Sequence, residues 1–436
     1  MTTAPNPVLR FITAGNVDDG KSTLIGRLLY DSQALLSDQI DQLHRSQTPT
    51  TLPNFAALTD GLSAEREQGI TIDVAYRYFS TNKRKFILAD TPGHEQYTRN
   101  MVTGASTADA AIVLIDASRL DVKQTPVQLP SQTLRHTILL KRLGCPHIIV
   151  AITKLDLLEY DPAAYEAIVN AYQQLAQRLK LENVYFVPIS ALLGDNIVHR
   201  SDRMPWYEGP SLLALLSELP SQLSLNEQDS TELALFPVQR VARQDGSSKN
   251  DFRGYQGRLE QGRLEVGQAI RVLPTQQTST ISAIYGVNGE QEHAQAGEVL
   301  TITLADELDI SRGSSIVALE HPIQNSKNIE ATICWFDETQ LNPQRKYWLK
   351  HGTHTVYAKV TELKSLLDLH DLEEKPMNSA LKMNDIARVS LRLQQAIAAN
   401  RYAEHKASGA FILIDDATHQ TVAAGMIEQY DGSSNS

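Results

Sequence analysis

The segment Gly15-Asn16-Val17-Asp18-Asp19-Gly20-Lys21-Ser22 constrains this chain more than any other. It begins where the apolar run Phe11-Ile12-Thr13-Ala14 ends, and it leads into Leu24, Ile25, Leu28 and Leu29, whose spacing is helical. Strand, glycine-bounded loop and helix, in that order, are the context that a phosphate-binding loop needs. Gly15 and Gly20 let backbone amides approach phosphate oxygens closely, Lys21 reaches the outer phosphates, and the Ser22 hydroxyl is placed to ligate magnesium. The expected binding set runs from Gly15 through Asn16, Val17, Asp18, Asp19, Gly20, Lys21 and Ser22 to Thr23.

The rest of the amino-terminal half supplies what such a loop requires. Phe86 to Ala89, Ala110 to Ile115, Ile148 to Ile152 and Val184 to Ile189 are apolar runs of buried parallel strands, and Tyr165 to Leu179 has a helical pattern between them. Ligands of doubly wound α/β domains bind at the carboxyl ends of the strands. The residues with chemistry follow these runs directly. Asp90-Thr91-Pro92-Gly93-His94 offers a carboxylate near the metal, a glycine amide for the terminal phosphate, and an imidazole. Phosphoryl transfer is mostly positioning and charge stabilisation, so His94 is expected to orient the attacking water. Upstream, Thr71 in Glu65 to Asp73 is suited to complete the magnesium shell with Ser22 and Asp90 while a γ-phosphate is present, and to let go afterwards. His94, Lys21 and Thr71 are therefore the expected catalytic residues.

Thr153-Lys154-Leu155-Asp156 selects the base. A carboxylate at Asp156 accepts from N1 and the exocyclic amine of guanine, and adenine has no matching donors at that edge. Lys154 lies along the ring and supports the loop, and the backbone of Ser190-Ala191-Leu192 meets the guanine oxygen. The expected ligands are GTP or GDP with Mg2+.

With 436 residues, two or three domains are expected. No run approaches a membrane span and MTTAPNPVLR lacks the parts of a signal peptide, so a cytoplasmic protein without membrane association is expected. Cys145 and Cys334 have no metal-type spacing and are read as buried free thiols, with Cys145-Pro146-His147 read as packing. A net charge of -11 disfavours a broadly basic RNA-binding surface, although it allows a local basic patch.

These residues resemble the translation-factor branch of GTPases. Within it, Gly61 to Thr107 is similar to the large, GTPase subunit of bacterial sulfate adenylyltransferases, notably at Tyr76-Arg77-Tyr78-Phe79, Lys83-Arg84-Lys85-Phe86 and Glu95-Gln96-Tyr97-Thr98-Arg99-Asn100. Met204-Pro205-Trp206-Tyr207, Asp251-Phe252-Arg253-Gly254-Tyr255, Gly409 to Asp415 and Ala424-Gly425-Met426-Ile427 extend the resemblance over almost the whole chain. Two departures stand out. Thr153 occupies the place where the family usually has Asn, which weakens the expected bridge to the phosphate loop without removing GTP specificity. Ser118 to Pro130 is longer and more proline-bearing than the family pattern and is read as a surface loop before Gln132-Thr133-Leu134-Arg135-His136.

In the carboxyl-terminal half, Ser224 to Thr231 reads as a linker. Short alternating runs follow: Phe236 to Val241, Gly254 to Leu259, Ile270 to Leu273 and Val299 to Leu304, then Ala331 to Trp335, Thr353 to Val360, Ile386 to Leu393 and Phe411 to Ile414. The pattern alone allows one large β domain or two. The resemblance implies an α/β P-loop GTPase domain (1–225) followed by two small β-barrels (226–323 and 324–436), arranged as in elongation factor Tu. Arg253 and Tyr255 are expected at a surface turn or domain contact rather than on nucleic acid, and Arg401-Tyr402 with His405-Lys406 in a solvent-facing basic segment.

The resemblance further implies that the chain does not itself transfer the adenylyl group. It would pair with a smaller catalytic subunit that binds ATP and sulfate and makes adenosine 5'-phosphosulfate and pyrophosphate, GTP hydrolysis driving that reaction. The rival reading is an elongation factor that binds aminoacyl-tRNA, against which the Gly61 to Thr107 segment and the acidic balance speak. A fusion with an adenylylsulfate kinase is not expected, because no second phosphate loop follows Met426.

Overall fold

A computed structural model describes residues 6–35, 37, 40, 41, 43, 53–58, 73–221, 233–244, 252–369, 371–377 and 379–431. Thr71, most of the stretch between Glu65 and Asp73, and the linker Ser224 to Thr231 lie outside them. The chain divides into two compact units, Met1–Gln222 and Leu223–Ser436.

The first unit is built on a six-stranded sheet. In chain order its strands are β1 (Asn6–Ala14), β2 (Ala75–Ser80), β3 (Arg84–Asp90), β4 (Ala110–Asp116), β5 (His147–Thr153) and β6 (Val184–Pro188), laid side by side as β2-β3-β1-β4-β5-β6. All neighbours are parallel except β2, which runs antiparallel to β3 at one edge. Every residue of β4 and β5 is buried, as expected of strands covered on both faces. The sheet brings Thr13, Asp90, Asp116 and Thr153 to one end, because Thr13 is in register with Asp90 and Asp116 with Thr153.

Helices that accompany the sheet include α1 (Lys21–Asp31), α2 (Thr98–Ala105), α3 (Ser131–Arg142), α4 (Pro162–Leu179) and α5 (Leu212–Glu218). Sequence sets the ends of α4: the Asp161 carboxylate accepts from Ala163 N at 2.9 Å, Pro162 supplies a preset φ, and Lys180 ends the helix in the left-handed region. Its buried face carries Ile168, Ala171, Tyr172 and Leu175, spaced three or four apart. The Tyr172 hydroxyl meets Thr137 Oγ1 of α3 at 2.9 Å, so α3 and α4 share a satisfied polar contact inside their packing. Trp206 and Tyr207 pack near Tyr165 of α4, and the Trp206 indole donates to Tyr160 O at 3.1 Å. In β3 the buried Arg84 donates to the carbonyl of Leu219, just past α5.

Among the described residues the second unit contains two large antiparallel sheets and a small one that pairs Arg263–Glu265 with His293–Gln295. The first large sheet joins, in lateral order, Leu235–Pro237, Ser315–Ala318, Ala269–Leu273, Thr278–Gly286, Val299–Leu304, Phe252–Arg258 and Arg240–Gln244, with Gly289–Gln291 paired onto Thr278–Gly286. It surrounds a core that includes Phe236, Tyr255, Ile270, Ile284 and Ile302. The second large sheet runs Tyr347–His351, Ala410–Asp415, Thr421–Tyr430, Gln324–Trp335, Ile386–Ala399 and His354–Leu367, and it closes on itself through pairing of the first and last of these. Closure removes the exposed edges that a flat sheet of this length would present.

Three expectations need correction here. Phe236 to Val241 is not one strand: it spans the end of Leu235–Pro237, paired with Ser315–Ala318, and the start of Arg240–Gln244, paired with Phe252–Arg258. Tyr255 lies within a strand and is 1 % exposed, with Arg253 stacked over its ring at 5.6 Å, so neither sits at a surface turn. Tyr402 is buried and its N–H donates to Ile427 O, while His405 caps the short helix Lys406–Gly409; only part of that basic segment faces solvent. Cys145 and Cys334 are buried thiols outside any disulfide, as expected.

Candidate functional site

The loop between β1 and α1 lies at the carboxyl end of the sheet. Gly20 caps α1 at φ 92°, in the left-handed region where a side chain is strained. Its position lets Lys21 open the helix, and the ammonium folds back to donate to Gly15 O at 3.1 Å and Asn16 O at 2.7 Å. The Asp19 carboxylate, 2 % exposed, accepts from Asn16 N at 2.6 Å. Burial pushes the Asp19 carboxyl above its ordinary range, and it pulls the Lys21 ammonium down, opposed by Asp19, Asp90 and Asp18. Ser22 and Thr23 follow in the first turn, both half-buried.

Asp90 ends β3, 1 % exposed, and receives the Thr13 hydroxyl at 3.4 Å. Thr91 continues the tie, donating to Thr13 O at 2.5 Å. The turn that follows brings Gly93 onto the phosphate loop. A Cβ there would overlap Lys21 Nζ and stand 2.8 Å from Gly15 O, so only glycine fits. His94 comes next, with its ring edge-on to Tyr97 at 6.3 Å between centroids. Asn16, Asp19, Gly93, His94, Asp116 and Gln132 border one cavity of about 410 Å³, large enough for a small-molecule ligand.

The third segment is tied to the same loop. Lys154 follows β5 in the left-handed region at φ 60°. Its ammonium donates to Asp18 O at 2.8 Å and pairs with Asp116 at 2.7 Å. Thr153, by contrast, makes no bridge: its buried hydroxyl oxygen has no hydrogen-bond partner among the described residues. The departure at Thr153 thus leaves the link to the phosphate loop to Lys154. Asp156 lies two residues on in the same turn, half-buried. Ser190 and Ala191 are buried beyond β6, and Leu192, 41 % exposed, accepts through its carbonyl from Arg27 of α1 at 3.1 Å. The phosphate loop, the Asp90 to His94 turn and Lys154 are thereby brought together, and Ser190 to Leu192 is anchored to α1. Thr71 lies outside the described residues.

Four participants carry no motif of their own in the sequence. Asp116 is the last residue of β4, and nothing in the apolar run before it marks it as the partner of Lys154. Arg119, in the exposed loop after β4, donates to Val17 O at 3.1 Å and to Asp18 Oδ2 at 3.2 Å, clasping the phosphate loop from outside. Arg27 falls on the α1 helix as an ordinary charged residue. Gln132 belongs to a segment noticed only for its family likeness, yet its side-chain amide reaches Gly93 O at 3.4 Å.

Comparisons with known proteins agree with this architecture. Residues 6–227 match the Elongation factor Tu GTP binding domain, and residues 328–428 match the GTP-eEF1A C-terminal domain-like family. The GTPase-like domain of S. cerevisiae Ski7, solved with GTP, superposes over 97 % of both chains with a TM-score of 0.52 at 18 % identity, a likeness of fold. Sulfate adenylyltransferase subunit 1 of Pseudoalteromonas atlantica is 46 % identical across 96 % of this chain and 87 % of its own length. The counterpart of Saccharophagus degradans is 45 % identical across 96 % and 86 %. The bifunctional enzyme CysN/CysC of Mycobacterium tuberculosis is 46 % identical, and the chain spans 67 % of that longer protein. An α/β GTP-binding domain carrying these ties, followed by β-barrel structure and matched along nearly its whole length at this identity, places the chain in the sulfate adenylyltransferase subunit 1 family, a GTPase that forms part of a sulfate adenylyltransferase.

Proposed function

We propose that this GTPase couples hydrolysis of GTP to formation of adenosine 5'-phosphosulfate and pyrophosphate from ATP and sulfate, the adenylyl transfer itself being done by a separate, smaller catalytic subunit in the cytoplasm. The observation that carries the reading is the convergence of Lys21, Gly93 and Lys154 on one phosphate loop, in a chain so similar to subunit 1 relatives. Their shared name implies a partner subunit.

The residues present fit a magnesium ion. Asp90 is a buried carboxylate already paired with a hydroxyl, Ser22 offers a second oxygen at the start of α1, and an oxygen-only set suits that cation. Thr71 is assigned as the third oxygen. When bound, Mg2+ supplies charge neutralisation on the β- and γ-phosphates. Lys21 holds the outer phosphates, and the amide of Gly93 meets the γ-phosphate. His94 orients the attacking water, Asp156 accepts from guanine, and the Ser190 to Leu192 backbone meets the base's oxygen. Coupling requires two states of a common assembly that differ in their interaction with the γ-phosphate. Thr71 and His94 are in the segments suited to report it.

Purifying the chain with and without its co-purifying partner and assaying both reactions tests the proposal. GTP hydrolysis is expected from the chain alone, and sulfate-dependent adenylyl transfer only from the complex, rising with GTP. Adenylyl transfer by the chain alone, or a complex indifferent to GTP, would sink it.

A further inference from the structure

We propose that Gln132 is a positioning residue for GTP hydrolysis, acting through the Gly93–His94 peptide and held in place by His136. The inference rests on the assignment of His94 as the residue that orients water.

The donor and acceptor count of this cluster leaves one arrangement. Arg135 Nη1 donates to Gln132 Oε1 at 2.8 Å, and a guanidinium can only donate, so the oxygen of the Gln132 amide must face Arg135. The amide nitrogen then faces the other way, with one hydrogen toward Gly93 O at 3.4 Å and the other toward His136 Nε2 at 3.0 Å. His136 Nε2 must accept, which puts the imidazole proton on Nδ1. That nitrogen is buried and has no hydrogen-bond partner among the described residues.

An unpaired buried N–H is costly, and an apolar side chain would fill the same place on α3 without that cost. What the imidazole adds is an acceptor that fixes Gln132. It also stays uncharged: the ring is 1 % exposed, and burial, with Lys21 and Arg135 nearby, drives its pKa down to about 3. A protonated ring would have no lone pair for Gln132, so the lowered pKa keeps the acceptor present near neutral pH. Arg135, Gln132 and His136 fall at three- and four-residue spacing along α3, so a single face of the helix holds the whole relay.

The other end of the relay is Gly93. Its carbonyl belongs to the same planar peptide as the His94 N–H, so holding the oxygen sets the direction in which the chain enters His94. On its other side Gly93 lies against Lys21 and Gly15 with no room for a side chain. The peptide is thus held between the phosphate loop and α3, and a shift of either changes where the His94 ring points. Misplacing a reacting or orienting group by a small distance costs rate rather than affinity.

The test is a double-mutant cycle on the full chain, read as steady-state GTP hydrolysis. Gln132→Leu is expected to lower kcat about tenfold with KM for GTP within about twofold. The double variant Gln132→Leu/His94→Ala is expected to be no slower than His94→Ala alone, because the glutamine acts through the histidine. Gln132→Glu keeps the shape and the Arg135 contact but, when ionised, has no hydrogen for Gly93. Its deficit relative to wild type is expected to shrink as pH falls and the carboxyl gains a proton, a change that a merely structural role would not produce. Losses that multiply in the double variant, or a Gln132→Glu deficit constant with pH, overturn the relay. Slow His94→Ala with normal Gln132→Leu overturns it alone, and normal turnover in His94→Ala removes the histidine's assigned role and the relay with it.

Discussion

Asp116 is the residue on which the Lys154 side of the candidate site turns. It is 2 % exposed, and two cations meet it: Lys154 at 2.7 Å and, from the surface, Arg119 at 3.4 Å. Lys154 is itself 31 % exposed, so solvent screens part of the pair, and Lys154→Ala should cost about 1–2 kcal/mol of stability rather than the full value of a buried ion pair. The same change frees Asp18 O, so GDP affinity should fall about tenfold. Urea unfolding and GDP titration measure the two effects, and an unchanged affinity would show that the bridge to Asp18 does not shape the loop. Asp156 makes a different kind of prediction, since it is assigned to the ligand rather than the fold. Asp156→Asn should shift preference from GTP toward xanthosine triphosphate, whose base offers an acceptor where guanine offers a donor. The ratio of kcat/KM for the two nucleotides reads this directly, and a ratio equal to wild type would remove the guanine assignment.

At the scale of elements, α3 carries a pH signature. The unfolded chain takes up a proton on His136 below its ordinary pKa of 6.5, whereas the folded chain resists until about 3. The group's contribution to stability is therefore complete above 6.5 and is lost as pH falls through the interval below it. From about pH 7 to about pH 5.5 wild type should lose about 1 kcal/mol more than His136→Asn, by urea unfolding at each pH. Equal losses would mean that the ring is not held neutral. The elements themselves were largely readable. Fully apolar runs such as Ala110 to Ile115 and Ile148 to Ile152 had to be strands buried on both faces, and the Tyr165 to Leu179 pattern had to be a helix. What the sequence could not show is contact between distant polar residues. Arg119 reaches Val17 across 102 positions and Lys154 reaches Asp18 across 136, and nothing in local pattern distinguishes them from solvated charges. Tyr255 failed for a related reason: with Arg253, Gly254 and Gln256 around it the residue reads as surface, but strand alternation puts it in the core that the first large sheet surrounds.

For the whole molecule, the acidic balance and the subunit 1 relatives point the same way, toward a GTPase working in sulfate activation rather than one carrying RNA. If coupling works as proposed, the chain's effect on its partner depends on turnover and not merely on presence. Two variants separate these. Lys21→Ala removes the ammonium assigned to the outer phosphates, and should abolish GTP binding or hydrolysis together with all GTP stimulation of adenylyl transfer in the complex. His94→Ala should leave GTP binding nearly intact while slowing hydrolysis, so stimulation should fall in proportion to the hydrolysis rate. Measured in the same preparation, phosphate release and adenosine 5'-phosphosulfate formation should keep a fixed ratio in wild type and in His94→Ala. A complex in which His94→Ala stimulates fully while hydrolysing slowly would show that GTP binding alone is enough, and the chain would then be an allosteric activator, because a bound ligand that is not consumed can accelerate an unfavourable reaction but cannot drive it.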